Sequence, residues 1–172
     1  LTLDKMAAEG LRDQLAGGFF RYTVDPSWQV PHFEKMLYTQ AQLSEVYLRA
    51  AQLFGREDYA EVARDTLYFV MREMVSEQGG GYVASFSAVD GDGEEGGVYL
   101  WSIDELHALL GERDTALARR YWRMLDIPAL DGGHLPLRGE GPAQIAQQTD
   151  QPEEAVRERL EAIRSILLVA RG

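Results

Sequence analysis

Apolar residues recur at helical spacing over residues 3–15 (Leu3, Met6, Ala7, Leu11, Leu15), and Gly17-Gly18 then stops the pattern, which predicts a short amphipathic helix. After an irregular aromatic stretch holding Tyr22 and Trp28, Pro31 suits the first turn of a long helix that Gly55 would end. That helix carries Phe33, Met36, Leu37, Leu43, Tyr47, Ala51 and Phe54, widened by Val46, Leu48 and Leu53, so burial on more than one face is expected. Over about 57–76 a stripe of Ala60, Ala63, Leu67, Val70 and Met74 opposes Arg64, Asp65 and Arg72, the pattern of an outer helix packed on an inner one.

The character changes at Gly79-Gly80-Gly81. Tyr82–Phe86 and Val98–Trp101 read as two short strands, a β-hairpin insertion over about 80–101 around the acidic turn from Asp90 to Gly97. Helical spacing returns at 103–111 and 113–125, and a loop around His134 follows, marked by Pro128, Gly132, Gly133 and Pro136. Two helices close the chain, near 142–148 and 152–170. The second opens at Asp150, Pro152 and Glu153 and carries the stripe Val156, Leu160, Ile163, Leu167 and Ala170. Recurring helical hairpins point to a mainly α protein of α/α architecture, with a helical bundle carrying a β-hairpin as the alternative.

Composition narrows the functions. The 172 residues are 45% hydrophobic, enough for one sizeable core, and read as a single helical domain. A net charge of -11 repels phosphate backbones and anionic membranes, so neither nucleic acid nor membrane is an expected partner. Cysteine is absent, which removes disulfides, thiolate ligands and thiol catalysis. With three histidines and no HExxH pattern, no zinc site is expected, and Gly79-Gly80-Gly81 lacks the lysine of a phosphate loop, so no cofactor is implied. No apolar run approaches the ~20 residues of a membrane span, and a cytoplasmic location is the default expectation.

The run Gly17-Gly18-Phe19-Phe20-Arg21-Tyr22-Thr23-Val24-Asp25, then Trp28-Gln29-Val30-Pro31-His32-Phe33-Glu34-Lys35-Met36-Leu37-Tyr38, closely resembles the YyaL-like, spermatogenesis-associated thioredoxin-fused family. The resemblance continues through Arg64-Asp65-Thr66-Leu67, Gly80-Gly81-Tyr82 and Gly93-Glu94-Glu95-Gly96-Gly97-Val98-Tyr99-Leu100-Trp101, and fades after about Gly111. It implies an amino-terminal thioredoxin-like domain, absent here, followed by an (α/α)6 toroid similar to N-acylglucosamine 2-epimerases and six-hairpin glycosidases. Twelve helices of ~12 residues with connections of ~5 need roughly 200 residues, so this chain is expected to be an incomplete segment of such a ring. Unpaired helical faces would then favour self-association. The chain departs from the family pattern at Phe20, where the family has His, at Thr39, where it has Asp, and at Ala88, where it has the first of two acids.

Within this frame His32, Glu34 and Asp90 are the candidate catalytic residues: His32 as the proton-exchanging group, Glu34 or Asp25 orienting it, and Asp90 as a carboxylate from the acidic loop. Arg21, Tyr22, Trp28, Lys35, Tyr38 and Glu95 are the candidate substrate-binding residues, since aromatic faces pack on apolar pyranose faces while polar groups fix orientation. Read without the resemblance, His32 and Glu34 brace local packing and the acidic loop is a solvated turn. His107 reads as a surface residue. The function is left between a sugar isomerase or glycosidase-like enzyme acting on a carbohydrate, a non-catalytic scaffold or binding module, and an inactive fragment of a larger chain.

Overall fold

The computed structural model describes residues 2–89, 91, 93–124 and 127–172. Among these it contains six α-helices and four two-residue strands, so the mainly helical expectation holds. The sequence reads as one domain, but the chain divides into two compact units, Leu1–Gly97 and Val98–Gly172.

The first unit is built on a helical hairpin. After α1 (Thr2–Ala8), helices α2 (Leu37–Phe54) and α3 (Glu57–Glu73) are joined through Gly55 and Arg56 and pack on each other. Gly55 takes the left-handed conformation (φ 63°) that ends α2, as its position predicts. The core holds Ala7, Leu11, Phe19, Tyr47, Ala50, Ala51, Tyr59, Val62 and Ala63. Tyr47 stacks on Phe19 with centroids 5.5 Å apart, meets Tyr59 edge-on at 5.6 Å, and donates its hydroxyl to the Leu3 carbonyl at 2.7 Å. Burial raises the pKa of this phenol above its ordinary value. The side chain of Gln40, fully buried, accepts from the Phe19 N–H and donates to the Phe19 carbonyl, both at 2.7 Å, which ties the glycine-rich turn to α2.

Three helical expectations differ from the structure of the first unit. The long helix does not start at Pro31: residues 31–36 are extended, with Pro31–His32 (β2) antiparallel to Tyr22–Thr23 (β1), and Lys35–Met36 (β3) antiparallel to Ser85–Phe86 (β4). Proline has no N–H to lose at the end of a ladder, so it serves a strand as well as a first turn. Burial is also narrower than the α2 pattern suggests, because Val46, Leu48, Leu53 and Phe54 are exposed. On α3 the buried face is Tyr59, Val62, Ala63, Thr66 and Phe69, rotated from the expected stripe so that Leu67 is left open.

The hairpin expected over 80–101 does not form. Ser85–Phe86 pairs with β3, whereas Gly97–Tyr99 is a three-ten turn and Trp101 bridges His134. In the second unit, α4 (Ile103–Tyr121) begins at a capping box, Ser102 accepting from the Glu105 N–H and Glu105 accepting from the Ser102 N–H. Gly111 (φ 76°, ψ 171°) kinks it, matching the two helical patterns separated there in the sequence. Helices α5 (Pro142–Thr149) and α6 (Glu153–Arg171) pack together, α6 also on α4. Val156, Leu160, Ile163 and Leu167 are buried as the stripe requires; Ala170 is exposed. Asp150 ends α5 in the left-handed region (φ 52°) instead of opening α6, whose cap is Pro152. No helix among the described residues is long and apolar enough to cross a membrane.

Candidate functional site

The short strands sort the polar residues of the first unit onto two sides. From 31 to 36 burial alternates: Pro31, Phe33 and Lys35 are buried, while His32, Glu34 and Met36 are partly open. Successive side chains of an extended backbone point to opposite faces, so His32 and Glu34 share one face and Lys35 takes the other.

On the open face, His32 lies across the ladder from Tyr22, and the two rings stack with centroids 5.1 Å apart. His32 Nδ1 is 2.9 Å from Glu95 Oε1, and its Nε2 is 3.7 Å from Glu34 Oε2. A carboxylate only accepts, so the Glu95 contact places the proton of neutral His32 on Nδ1 and leaves Nε2 with the lone pair. Glu34 Oε2 accepts from the Arg21 guanidinium at 2.8 Å. Hydrogen bonding to Glu34, and after it to Tyr38, raises the pKa of Arg21 above its ordinary value. Arg21, Tyr22, His32, Glu34, Tyr38 and Glu95 therefore form one partly exposed cluster.

Glu95 reaches His32 because its loop is pinned at the base. Gly96 donates to the Ala88 carbonyl at 2.9 Å, Val89 bridges Glu95, and Gly96 has a positive φ (74°). A Cβ on Gly96 would lie 2.3 Å from the Phe33 ring, so glycine is needed where the base of the loop packs on Phe33. Asp90 lies outside the described residues.

Three candidates have other settings. Lys35 is 1% exposed; its Nζ donates to Asp13 Oδ2 at 2.8 Å and the Gly17 carbonyl at 3.2 Å, and sits 4.2 Å from the centroid of the Phe69 ring. Strand alternation turns it inward, so it braces the core and does not join the open cluster. Trp28 packs against the α1–α3 core from a left-handed position (φ 66°), and its carbonyl accepts from Gly10 at 2.7 Å. Asp25 organises its own loop and does not orient His32: its carboxylate accepts from the N–H groups of Ser27, Gln29 and Val30. Partial burial would raise the Asp25 pKa, but hydrogen bonds from the Ser27 side chain and these amides outweigh it and hold the carboxyl below the usual range. The roles of Asp13, which pairs with Lys35, and of Gly96, which seats the loop, have no local signal in the sequence. The alternation of Pro31, Phe33 and Lys35 with His32 and Glu34 is the signal that would have separated the two faces.

A mainly helical segment with a histidine–carboxylate cluster on a short β-ladder is the class these observations define. The chain is similar to spermatogenesis-associated protein 20 of Rattus norvegicus, 44% identical over 119 residues that cover 64% of this chain and 15% of the relative. The protein of that name from Homo sapiens matches at the same identity and coverage. An uncharacterised protein of Caenorhabditis elegans, B0495.5, is 34% identical over 127 residues, 68% of this chain and 17% of that protein. Identity at this level establishes homology to spermatogenesis-associated protein 20, and the chain spans about one-sixth of the length of these relatives. No protein-family model matches the chain.

Proposed function

We propose that the first unit supplies part of a carbohydrate-binding site within an α/α toroid completed by a longer protein, with His32 as the proton-transferring group. The observation that carries this reading is the pair of contacts on His32, with Glu95 on Nδ1 at 2.9 Å and Glu34 opposite Nε2 at 3.7 Å. A carboxylate on Nδ1 fixes the tautomer and stabilises the imidazolium that forms when Nε2 takes a proton, as abstraction beside a sugar carbonyl requires. Arg21 supplies a fixed positive charge next to Glu34, and Tyr22 and Tyr38 supply aromatic faces for a pyranose ring.

A second reading, a sugar-binding or scaffolding module without catalysis, is favoured by the positions that depart from the family pattern. Phe20 is fully buried and meets Phe33 edge-on at 5.2 Å, so it serves packing, and Ala88 brings no carboxylate to the neck of the loop.

Calorimetric titration with N-acylated hexosamines and unmodified hexoses tests the first reading. Saturable binding that His32→Gln abolishes, followed by substrate isomerisation by the wild type, is the expected result. Binding that His32→Gln leaves intact would remove His32 from the site, and binding without turnover would select the second reading.

A further inference from the structure

The second unit gathers positive charge in a chain that is strongly acidic overall. A basin of 480 Å³ between α4, α5 and α6 is lined by Arg113, Arg120 and Arg159 with Asp114, Leu117 and Ile145. It shares Ala116 and Arg120 with a groove of 650 Å³ that Arg119, Arg123, Arg138 and Glu140 also line. Six arginines thus meet two carboxylates across the two basins, against a net charge of -11 for the whole chain.

The fold places these cations side by side. Residues 137–140 run back over the end of α4: the N–H groups of Leu137, Gly139 and Glu140 donate to the carbonyls of Trp122, Tyr121 and Arg120 at 2.8–3.1 Å. Gly139 is required there, because a Cβ would lie 2.2 Å from the Arg120 carbonyl oxygen. Arg119 and Arg120 in the last turn of α4 complement its dipole, which accounts for two of the six. It does not account for the other four: Arg113 earlier in α4, Arg123 and Arg138 beyond its end, and Arg159 on α6. Arg120 is held by Glu140 at 2.7 Å and Arg159 by the buried carboxylate of Asp114, two guanidinium forks already used on oxyanions. Arg113 and Arg138, one in each basin, are exposed and donate no hydrogen bond to any described residue.

We propose that these adjoining arginine-lined basins bind a small multivalent oxyanion, a phosphate ester or a polycarboxylate, with Arg113 in one and Arg138 in the other as the groups that engage it. Planar guanidinium forks suit phosphate and carboxylate equally, so the two sources share one chemistry. The inference stands on the second unit alone and is independent of the His32 cluster.

Calorimetric titration of the full chain with pyrophosphate and, separately, citrate tests it, with sodium chloride at matched ionic strength as the reference. Saturable binding of at least one probe is expected. It should weaken about tenfold or more in the Arg113→Gln/Arg138→Gln double variant, since each guanidinium would supply charge-assisted hydrogen bonds that glutamine lacks. Arg49→Gln, an exposed arginine of the first unit, should leave it unchanged. Pyrophosphate binding without citrate binding would identify a phosphate site, and the reverse a carboxylate site. No saturable binding of either probe, or equal affinity in the folded double variant, would overturn the proposal; far-ultraviolet circular dichroism establishes that the variant is folded.

Discussion

Lys35 and His32 lie three residues apart in one extended segment, and each is paired with a carboxylate at 2.8–2.9 Å, yet they belong to different kinds of site. Lys35 and Asp13 are 1% and 2% exposed, whereas His32 and Glu95 are 28% and 55% exposed. The first pair has exchanged water for a fixed set of partners: Asp13 also accepts from the Leu15 and Ala16 amides, and Lys35 also reaches the Gly17 carbonyl. The second pair keeps access to solvent, as the role proposed for His32 requires. Pairing with an opposite charge therefore does not separate a brace of the core from a solvent-facing pair; the side of the strand does.

The contrast breaks most visibly at the buried pair. Lys35→Met leaves the Asp13 carboxylate uncompensated and should lower the unfolding free energy by about 3–5 kcal/mol, read by urea denaturation. The double variant Asp13→Asn/Lys35→Met should lose less than the single one; an equal or larger loss would show that the ion pair itself, and not the stranded charge, sets the cost. Gly96→Ala comes next, at about 1–3 kcal/mol, from its positive φ and the collision with Phe33. It should also shift the His32 ring resonances by moving Glu95, which an NMR spectrum of the histidine side chains reads directly.

Asp25 sharpens the comparison through pH. Its folded pKa lies below the unfolded one, so its carboxylate stabilises the fold above the unfolded pKa, and that contribution is lost as pH falls through the folded pKa. Asp25→Asn should cost about 1 kcal/mol at neutral pH, and the gap to wild type should close in acid. A gap that persists to the lowest pH at which the chain folds would assign the effect to geometry instead. The smallest change is expected on the open face: His32→Gln and Glu34→Gln should alter stability by no more than about 0.5 kcal/mol in thermal unfolding while removing the binding proposed above.

Legibility in the sequence followed the range of the interaction. The α6 stripe from Val156 to Leu167, the Gly55 cap and the separation of helical patterns at Gly111 are local, and the structure agrees with each. The extended segment at 31–36 carries a helical signal in the sequence because two-residue strands are too short to display a period, and Pro31 fits both states. The partners that divide the segment come from distant positions: Asp13 lies 22 residues from Lys35, and Glu95 lies 63 from His32. Motif matching gathered His32, Glu34, Arg21, Tyr22, Tyr38 and Glu95, but it also collected Lys35 and Trp28, because a motif does not distinguish residues kept for packing from residues facing solvent.

The kink at Gly111 has a kinetic consequence. A helix start leaves its first four amides without intrahelical acceptors, and the left-handed glycine makes a second start inside α4. Amides just beyond Gly111 should exchange with deuterium ahead of those in the middle of either half, so protection should divide α4 into the half that Ser102 caps and the half bearing Arg113, Arg119 and Arg120.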